Sequence, residues 1–445
     1  MMQNRLTEQP LIRSIIRLTL PSIGSGLFIV VFEIADMFWI GRLGASAVAA
    51  LGAASFFVWM LRALAQTMAT GILAMVSRRI GEGDEKRAIQ VIIDGFAGTS
   101  LFSFLIMAVT LPFSHQLFQW IHLEPVLVKM AGDYVQIIII GLISLYLTTS
   151  FEHVIRGLGN TKTPMIVVGS SLILNIVLDP VFIFIFKMGL TGAAIATVIS
   201  HLVAAIWLIF SVPRFLPAIK HCRLHHSRHF FKRTVIPMVR IGAPIAFNGV
   251  AFSVIYLILS GIISYFGSKP LAALGIGHRI ETVPFFVAWG FSVAVSTIVG
   301  QNLGAGKPER AKEAVFLSLK IASSILFLIS VIFYFFPESL YLFFISDTEV
   351  VYHGVHYLKW IAIFETFLAL EIILEGAFSG SGHTHPPMII AIPVTFLRIP
   401  GAWLLGVYFD FGIDAIWFFI SFTTFIKGVL LLFWFLKGTW MEKEV

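Results

Sequence analysis

Twelve long apolar runs follow one another along this chain, and no other feature limits its fold as strongly. A bilayer core of roughly 30 Å is crossed by about 20 helical residues at about 1.5 Å of rise each. Runs of that size are predicted at approximately 14–41, 46–75, 88–112, 127–150, 163–186, 189–213, 236–264, 270–298, 314–337, 354–376, 387–409 and 414–436. They lack the alternation of apolar and polar residues that marks the strands of a membrane barrel. Helices are then the remaining way to satisfy backbone groups in lipid. Composition agrees: 58% of the 445 residues are apolar and 12% charged, too little polar surface for a water-soluble fold. The expected fold is an all-α integral membrane protein of twelve transmembrane helices.

The net charge of +7 is explained by where the bases lie. Twenty Lys and Arg residues fall on the side of the N-terminus, including Arg78, Arg79, Lys86 and Arg87 after the second run, while the opposite loops receive Arg42, Lys129, Lys187 and Lys269. Positive residues mark the cytoplasmic face, so both termini are expected inside a cell (inner or plasma) membrane. No nucleic-acid partner is needed. The single cysteine, Cys222, excludes an intrachain disulfide. His221, His225, His226 and His229 beside it match no closed zinc spacing and read as a solvated linker. No cofactor is expected.

Sliding the second half over the first gives matches at one constant offset, 223 residues (244 − 21 = 223 for Pro21 and Pro244). Gly44 and Ala49-Ala50-Leu51-Gly52 match Gly267 and Ala272-Ala273-Leu274-Gly275; Gly157, Gly159, Thr161 and Pro164 match Gly380, Gly382, Thr384 and Pro387. Six predicted helices fill each unit. Six is even, so the second unit enters the membrane in the same orientation, and a pseudo-two-fold axis should run along the membrane normal. The predicted organisation is an N-terminal six-helix lobe over 1–213, a cytoplasmic linker over 214–235 and a C-terminal six-helix lobe over 236–445. The glycine-rich loops near 81–83 and 304–306 lack the spacing of a phosphate cradle. They read as helix ends, with Pro308 opening a short amphipathic segment and Arg87 or Arg310 reaching lipid headgroups.

A charge within the hydrocarbon costs at least about 2.5 kcal/mol, so acids there mark wet, partnered sites. The first predicted helix carries Glu33 and Asp36, the second Arg62, the fifth Asn175 and Asp179, the sixth Thr197 and the eighth Arg279 and Glu281. The tenth and eleventh add Glu365, Glu371, Glu375 and Arg398. Counting rise from the helix ends puts Asp36, Asp179 and Thr197 at one level, about 10–12 Å below the outer face, with Asn175 one turn from Asp179. Two carboxylates, an amide and a hydroxyl can hold a small hard cation such as Na⁺, in which case all four are its ligands, or relay a proton. Glu33, Glu152, Arg279, Glu281, Glu371 and Glu375 are secondary candidates for coupling or gating; Glu375 repeats Glu152 at the 223-residue offset.

The chain resembles the multidrug and toxic compound extrusion family, in Ala35-Asp36-Met37-Phe38-Trp39-Ile40-Gly41, Arg156-Gly157-Leu158-Gly159-Asn160-Thr161 and Val299-Gly300-Gln301-Asn302-Leu303-Gly304-Ala305-Gly306. The resemblance spans nearly the whole chain and looks closer to the DinF-like branch. It implies two six-helix bundles and export of cationic or amphipathic organic compounds in exchange for Na⁺ or H⁺. It also implies coupling roles for Asp36, Asn175, Asp179 and Thr197. An asparagine found in some relatives falls on Glu152, and the acids one branch uses in its seventh and tenth helices fall on Phe252 and Leu368. That points to coupling through the N-terminal lobe. The expected partners are small amphipathic substrates and membrane lipid, with the protein monomeric. A flippase for lipids or lipid-linked oligosaccharides is the main alternative. A membrane-embedded enzyme is disfavoured because the chain has no HExxH or GxSxG motif, and the two-unit repeat favours a carrier over a channel.

Overall fold

The computed structural model describes residues 5–221 and 230–442, all-helical with no strand among them. Among the described residues, ten helical stretches are long and apolar enough to span a membrane. They are α1 (Leu11–Gly41), α2 (Ala45–Gly81), α3 (Glu85–Phe113), α5 (Lys162–Ile185), α6 (Leu190–Phe215), α7 (Phe231–Ser264), α8 (Ser268–Gly304), α9 (Pro308–Phe335), α11 (His385–Tyr408) and α12 (Ile413–Leu436). Between them, α4 is a bent pair, Pro125–Ile140 and Leu142–Gly157, and α10 runs over Thr348–Ser381. At 34 residues α10 is long enough to span, and it carries Lys359 and the acids Glu349, Glu365, Glu371 and Glu375 among its apolar residues. The twelve expected helices are therefore present. Cys222, Arg223, Arg228 and the histidines 225, 226 and 229 lie outside the described residues.

The repeat is visible in the backbone itself. Gly44 and Gly267 start α2 and α8 at φ 104° and 105°, a region that only glycine enters freely. Lys187 and Asp410, again 223 apart, both take φ near 55° in the turns after α5 and α11 (56° and 55°). The Thr161 hydroxyl donates to the Leu18 carbonyl at 2.9 Å, and its mate Thr384 donates to the Ile241 carbonyl at 2.5 Å. Both carbonyls lie three residues before an internal proline, Pro21 or Pro244, where the ring interrupts the helix's own ladder. The same device thus tethers α1 to α5 and α7 to α11.

The halves meet through α1 and α2 against α7 and α8. One close approach between them is symmetric and lies at the end where the termini sit. A Cβ on Gly81 would fall 2.1 Å from the Gln301 carbonyl oxygen, and one on its mate Gly304 would fall 2.1 Å from that of Arg78. Here Gln301 donates to the Gly157 carbonyl oxygen (2.8 Å), Thr297 to that of Arg156 (3.2 Å) and Lys307 to that of Thr7 (3.1 Å). At the far end, Gly41, Gly52, Gly261 and Gly275 have nothing within 4 Å of an added Cβ. The halves pack together from the terminus-bearing end toward the middle of the helices, where a Cβ on Gly249 would lie 3.0 Å from Ala63, and the glycines at the far end face open space.

One expectation is corrected, and one feature goes beyond the sequence reading. The fourth helix bends by 53° at Gly141, whose Cβ would lie 2.3 Å from Val198 on α6. The bend lets Ser144 and Thr148 bond the carbonyls of Val198 and His201 (3.3 and 2.8 Å). Pro308 opens no separate amphipathic segment but begins α9 itself, and Arg310 donates to the Gln9 carbonyl oxygen rather than reaching outward. Arg87 pairs with Asp84 at 3.3 Å.

Because Gly304 has backbone of the other half where a side chain would go, Gly304→Ala should destabilise the protein by about 1–3 kcal/mol through overpacking. Gly275→Ala, in open space, should leave it unchanged or slightly stabilised. Thermal melting in detergent reads both. Equal melting temperatures for the two variants would refute the close packing described here.

Candidate coupling site

Three of the four residues selected from sequence are joined in one hydrogen-bonded group between α5 and α6. Asn175 is buried on α5, one turn from Asp179. With its side-chain oxygen toward α6, it accepts from the Thr197 backbone N–H at 3.0 Å and lies 3.3 Å from the Thr197 hydroxyl. Its NH₂ then donates to Asp179 Oδ2 at 3.1 Å. The Thr197 hydroxyl itself donates to the Ala193 carbonyl at 3.0 Å. Asp179 is fully buried, and its second oxygen, Oδ1, has no partner.

The fourth residue, Asp36, comes from α1. It is half-buried, and Asp179 lies within its electrostatic field, as does Tyr134 of α4. Asp36 lies in the field of Arg62 of α2, which forms no ion pair within 4 Å among the described residues and whose Nε is buried without a partner. The group is therefore two carboxylates from different helices, one of them pinned by an amide, with a free carboxylate oxygen and an unengaged guanidinium beside it. Sequence reasoning did not select Tyr134, because a tyrosine in a membrane helix carries no charge to mark it.

The secondary candidates separate into three environments. Glu33 and Arg279 are exposed on α1 and α8, and each lies in the other's field across the interface between the halves. Glu152 is engaged on its own helix, 2.8 Å from Arg156, which is 4% exposed and lies 5.2 Å from the Trp289 ring of the other half. That places it at the packed end. Glu281, Glu371 and Glu375 lie in the C-terminal half: Glu281 accepts from the Tyr357 hydroxyl, Glu371 pairs with Lys427 at 2.5 Å, and Glu375 accepts from Asn248 at 3.1 Å. Lys427 was not selected from sequence, although a lysine within the last apolar run was itself a signal that an acid faces it.

Comparison with known proteins places this architecture. A family model described as MatE matches residues 21–181 and again 244–404, two matches that begin 223 residues apart (244 − 21 = 223). A Thermotoga maritima protein named "Probable multidrug resistance protein NorM" is 28% identical over 453 residues, covering 98% of this chain and 95% of its own. A Shewanella oneidensis protein named "FAD transporter" is 26% identical over 439 residues, covering 95% of this chain and 94% of its own. Among solved structures, an outward-facing multidrug resistance MATE family transporter superposes with a TM-score of 0.88 at 21% identity, over 99% of this chain and 98% of that one. A MOP superfamily transporter from Pyrococcus furiosus, described as having a binding pocket of reverse polarity, gives 0.89 at 21% identity with the same coverage. These likenesses establish the fold. Matched by the family model in both of its halves, the chain is a member of the MatE family of multidrug efflux transporters.

Proposed function

We propose that the protein exports small amphipathic organic compounds across the plasma membrane, driven by cation entry through the Asp36, Asn175, Asp179 and Thr197 group. The observation that carries this reading is Asp179: buried in the membrane interior, with one oxygen unpartnered and a second carboxylate, Asp36, in its field. A lone carboxylate there is costly unless it is neutralised. Loading a cation relieves that cost, and so changes the relative stability of the two arrangements of the halves. Linkage makes the effect reciprocal: a substrate that prefers the unloaded arrangement is driven out as the cation enters.

The coupling ion is taken to be a proton. Asp179 Oδ1 is buried with no partner and Asp36 lies in its field, and a single proton neutralises that carboxylate without needing the several oxygen ligands of a hard metal cation. The sequence places the packed, basic end inside, so the end whose glycines face open space lies outward, with Asp36 toward the external proton supply. A second reading has one supporting observation. Arg62 and Arg279, one from each half, flank Glu33, which would suit an anionic substrate, and a flippase for lipid-linked oligosaccharides would use the same pair.

Proteoliposomes loaded with a cationic dye test the main reading under an imposed pH gradient or an imposed Na⁺ gradient. The pH gradient should drive efflux, and Asp36→Asn and Asp179→Asn should each reduce it to the protein-free background. Full activity in either variant, or efflux driven by Na⁺ alone, would sink the proton mechanism; transport of a lipid-linked substrate without dye efflux would establish the flippase. Thr197→Val should keep most of the pH-driven rate, since its hydroxyl is spent on Ala193. A collapse of that rate would mark Thr197 as a metal ligand.

Orientation has its own check. In a Cys222→Ser background, Gly275→Cys should react from outside intact cells with a membrane-impermeant thiol reagent. Labelling from the cytoplasmic side alone would invert the topology.

A further inference from the structure

The threonine tethers that join α1 to α5 and α7 to α11 are each flanked by two basic residues. Arg17 precedes Leu18, whose carbonyl accepts from Thr161, and Lys162 follows Thr161; in the other half Arg240 precedes Ile241, and His385 follows Thr384. Both flanking positions repeat at the same offset (240 − 17 = 223; 385 − 162 = 223). The tethers, 2.9 and 2.5 Å long, hold the backbones of each pair close together. All four residues are exposed.

Their surroundings identify what they face. Along the inner end of α1, Leu11, Ile15 and Leu18 are buried in a core shared with α8, while Arg13, Ile16, Arg17 and Leu20 lie on the opposite, exposed side. The halves pack together at this end, so exposed apolar side chains here face lipid rather than a cleft between the halves. Leu20, three residues from Arg17, is 63% exposed. One turn into α5 and α11 from Lys162 and His385, Ile166 and its repeat mate Ile389 are exposed as well. Each corner therefore sets basic groups at the ends of two helices, above an apolar surface that continues into the hydrocarbon.

The charges have no counterpart in the protein. Among the described residues, Arg13, Arg17, Lys162 and Arg240 form no ion pair or side-chain hydrogen bond. Glu8, the acid nearest to Arg13 and Arg17 in the chain, pairs with neither. We propose that the α1–α5 corner binds the headgroup phosphate of an anionic phospholipid, held by Arg17 and Lys162 with Arg13 beside them, and that the α7–α11 corner is a weaker copy built on Arg240 and His385. A guanidinium fork matches phosphate oxygens, and an ammonium adds a point charge. The long stems of Arg17 and Lys162 can lie over apolar surface with their charges at headgroup level, which leaves Leu20 and Ile166 to the acyl chains. A zwitterionic lipid would bring a cation of its own to a corner that already holds three. These are the inner ends of the helices that carry Asp36 and Asp179. The assignment to the cytoplasmic leaflet rests on the orientation proposed above; the site itself does not.

Native mass spectrometry of the purified full-length protein, released from micelles containing equal amounts of phosphatidylglycerol and phosphatidylcholine, tests the site. Phosphatidylglycerol should be retained in preference. Retention should fall by about fivefold for each charge removed in Arg17→Gln and Lys162→Gln. The charge-keeping exchange Arg17→Lys/Lys162→Arg should restore it, which separates a lost site from a misfolded protein. Arg240→Gln should remove only the weaker, second lipid. Equal retention of the two lipids, retention unchanged in Arg17→Gln/Lys162→Gln, or displacement of the lipid by excess inorganic phosphate would each overturn the proposal, the last by marking a site for soluble anions. Binding is read without substrate or gradient, so a failure of pH-driven dye efflux would count against the coupling reading alone.

Discussion

The absence of water in the hydrocarbon layer governs this structure more than any single contact. Every backbone group must find its partner within a helix or on a neighbouring one, and the chain meets that demand locally wherever it breaks a helix. Prolines at 21 and 244 interrupt α1 and α7, and threonines from α5 and α11 supply donors beside each break. The glycine at the bend of α4 lets that helix approach α6, and hydroxyls from the bent segment close on α6 carbonyls. The breaks sit on the helices that carry or border the ionisable groups.

The same constraint explains how much could be read from the sequence. Twelve spans are legible because lipid tolerates few helical patterns, and the duplication is legible because a repeated helix-end chemistry leaves glycines and prolines at a fixed spacing. Asn175, Asp179 and Thr197 were identified by residue type and depth alone, since rise per residue converts position directly into level in a membrane helix. What sequence could not supply was lateral position. Nothing in it says that Arg279 faces Glu33 across the halves while Glu281, two residues on, turns into its own half toward Tyr357. The α4 bend was invisible for a related reason: a glycine in an apolar run looks the same whether or not another helix presses on it. Pro308 was misjudged because a proline in the first turn suits a short segment and a long helix equally.

Contact between the halves is confined in a way that makes sense of the glycine-rich ends of α2 and α8. Gly81 and Gly304 lie 223 residues apart, and each lets the backbone of the other helix come within van der Waals distance. A crossing at glycines, close to the pseudo-two-fold axis, gives tight packing at one end with few side chains to unlock. The hydrogen bonds there are made mostly to backbone carbonyls exposed at helix ends, as between Gln301 and Gly157. Backbone acceptors at helix termini have water or lipid headgroups available as substitutes. Separating the halves at this end therefore does not strand charges in hydrocarbon, which a rocking transition requires.

Gene duplication starts with two identical halves, so the unequal distribution of charge is the most informative departure from symmetry. In the N-terminal half the acids are on α1 and α5 and the nearby arginine is unengaged; in the C-terminal half Arg398 stands at the position equivalent to Asn175 (398 − 175 = 223) and is fully bonded, while the acids have moved to α8 and α10. A bonded arginine fixes α7, α11 and α12 to one another, because breaking any of its contacts would leave a buried guanidinium short of acceptors. The N-terminal group has no such fixed charge at its centre. In the mechanism we propose, this leaves α1 and α5 the helices whose spacing responds when Asp36 and Asp179 gain or lose a cation. In that proposed cycle the two halves divide the labour, the arginine-bonded half held together and the other responding to the ion.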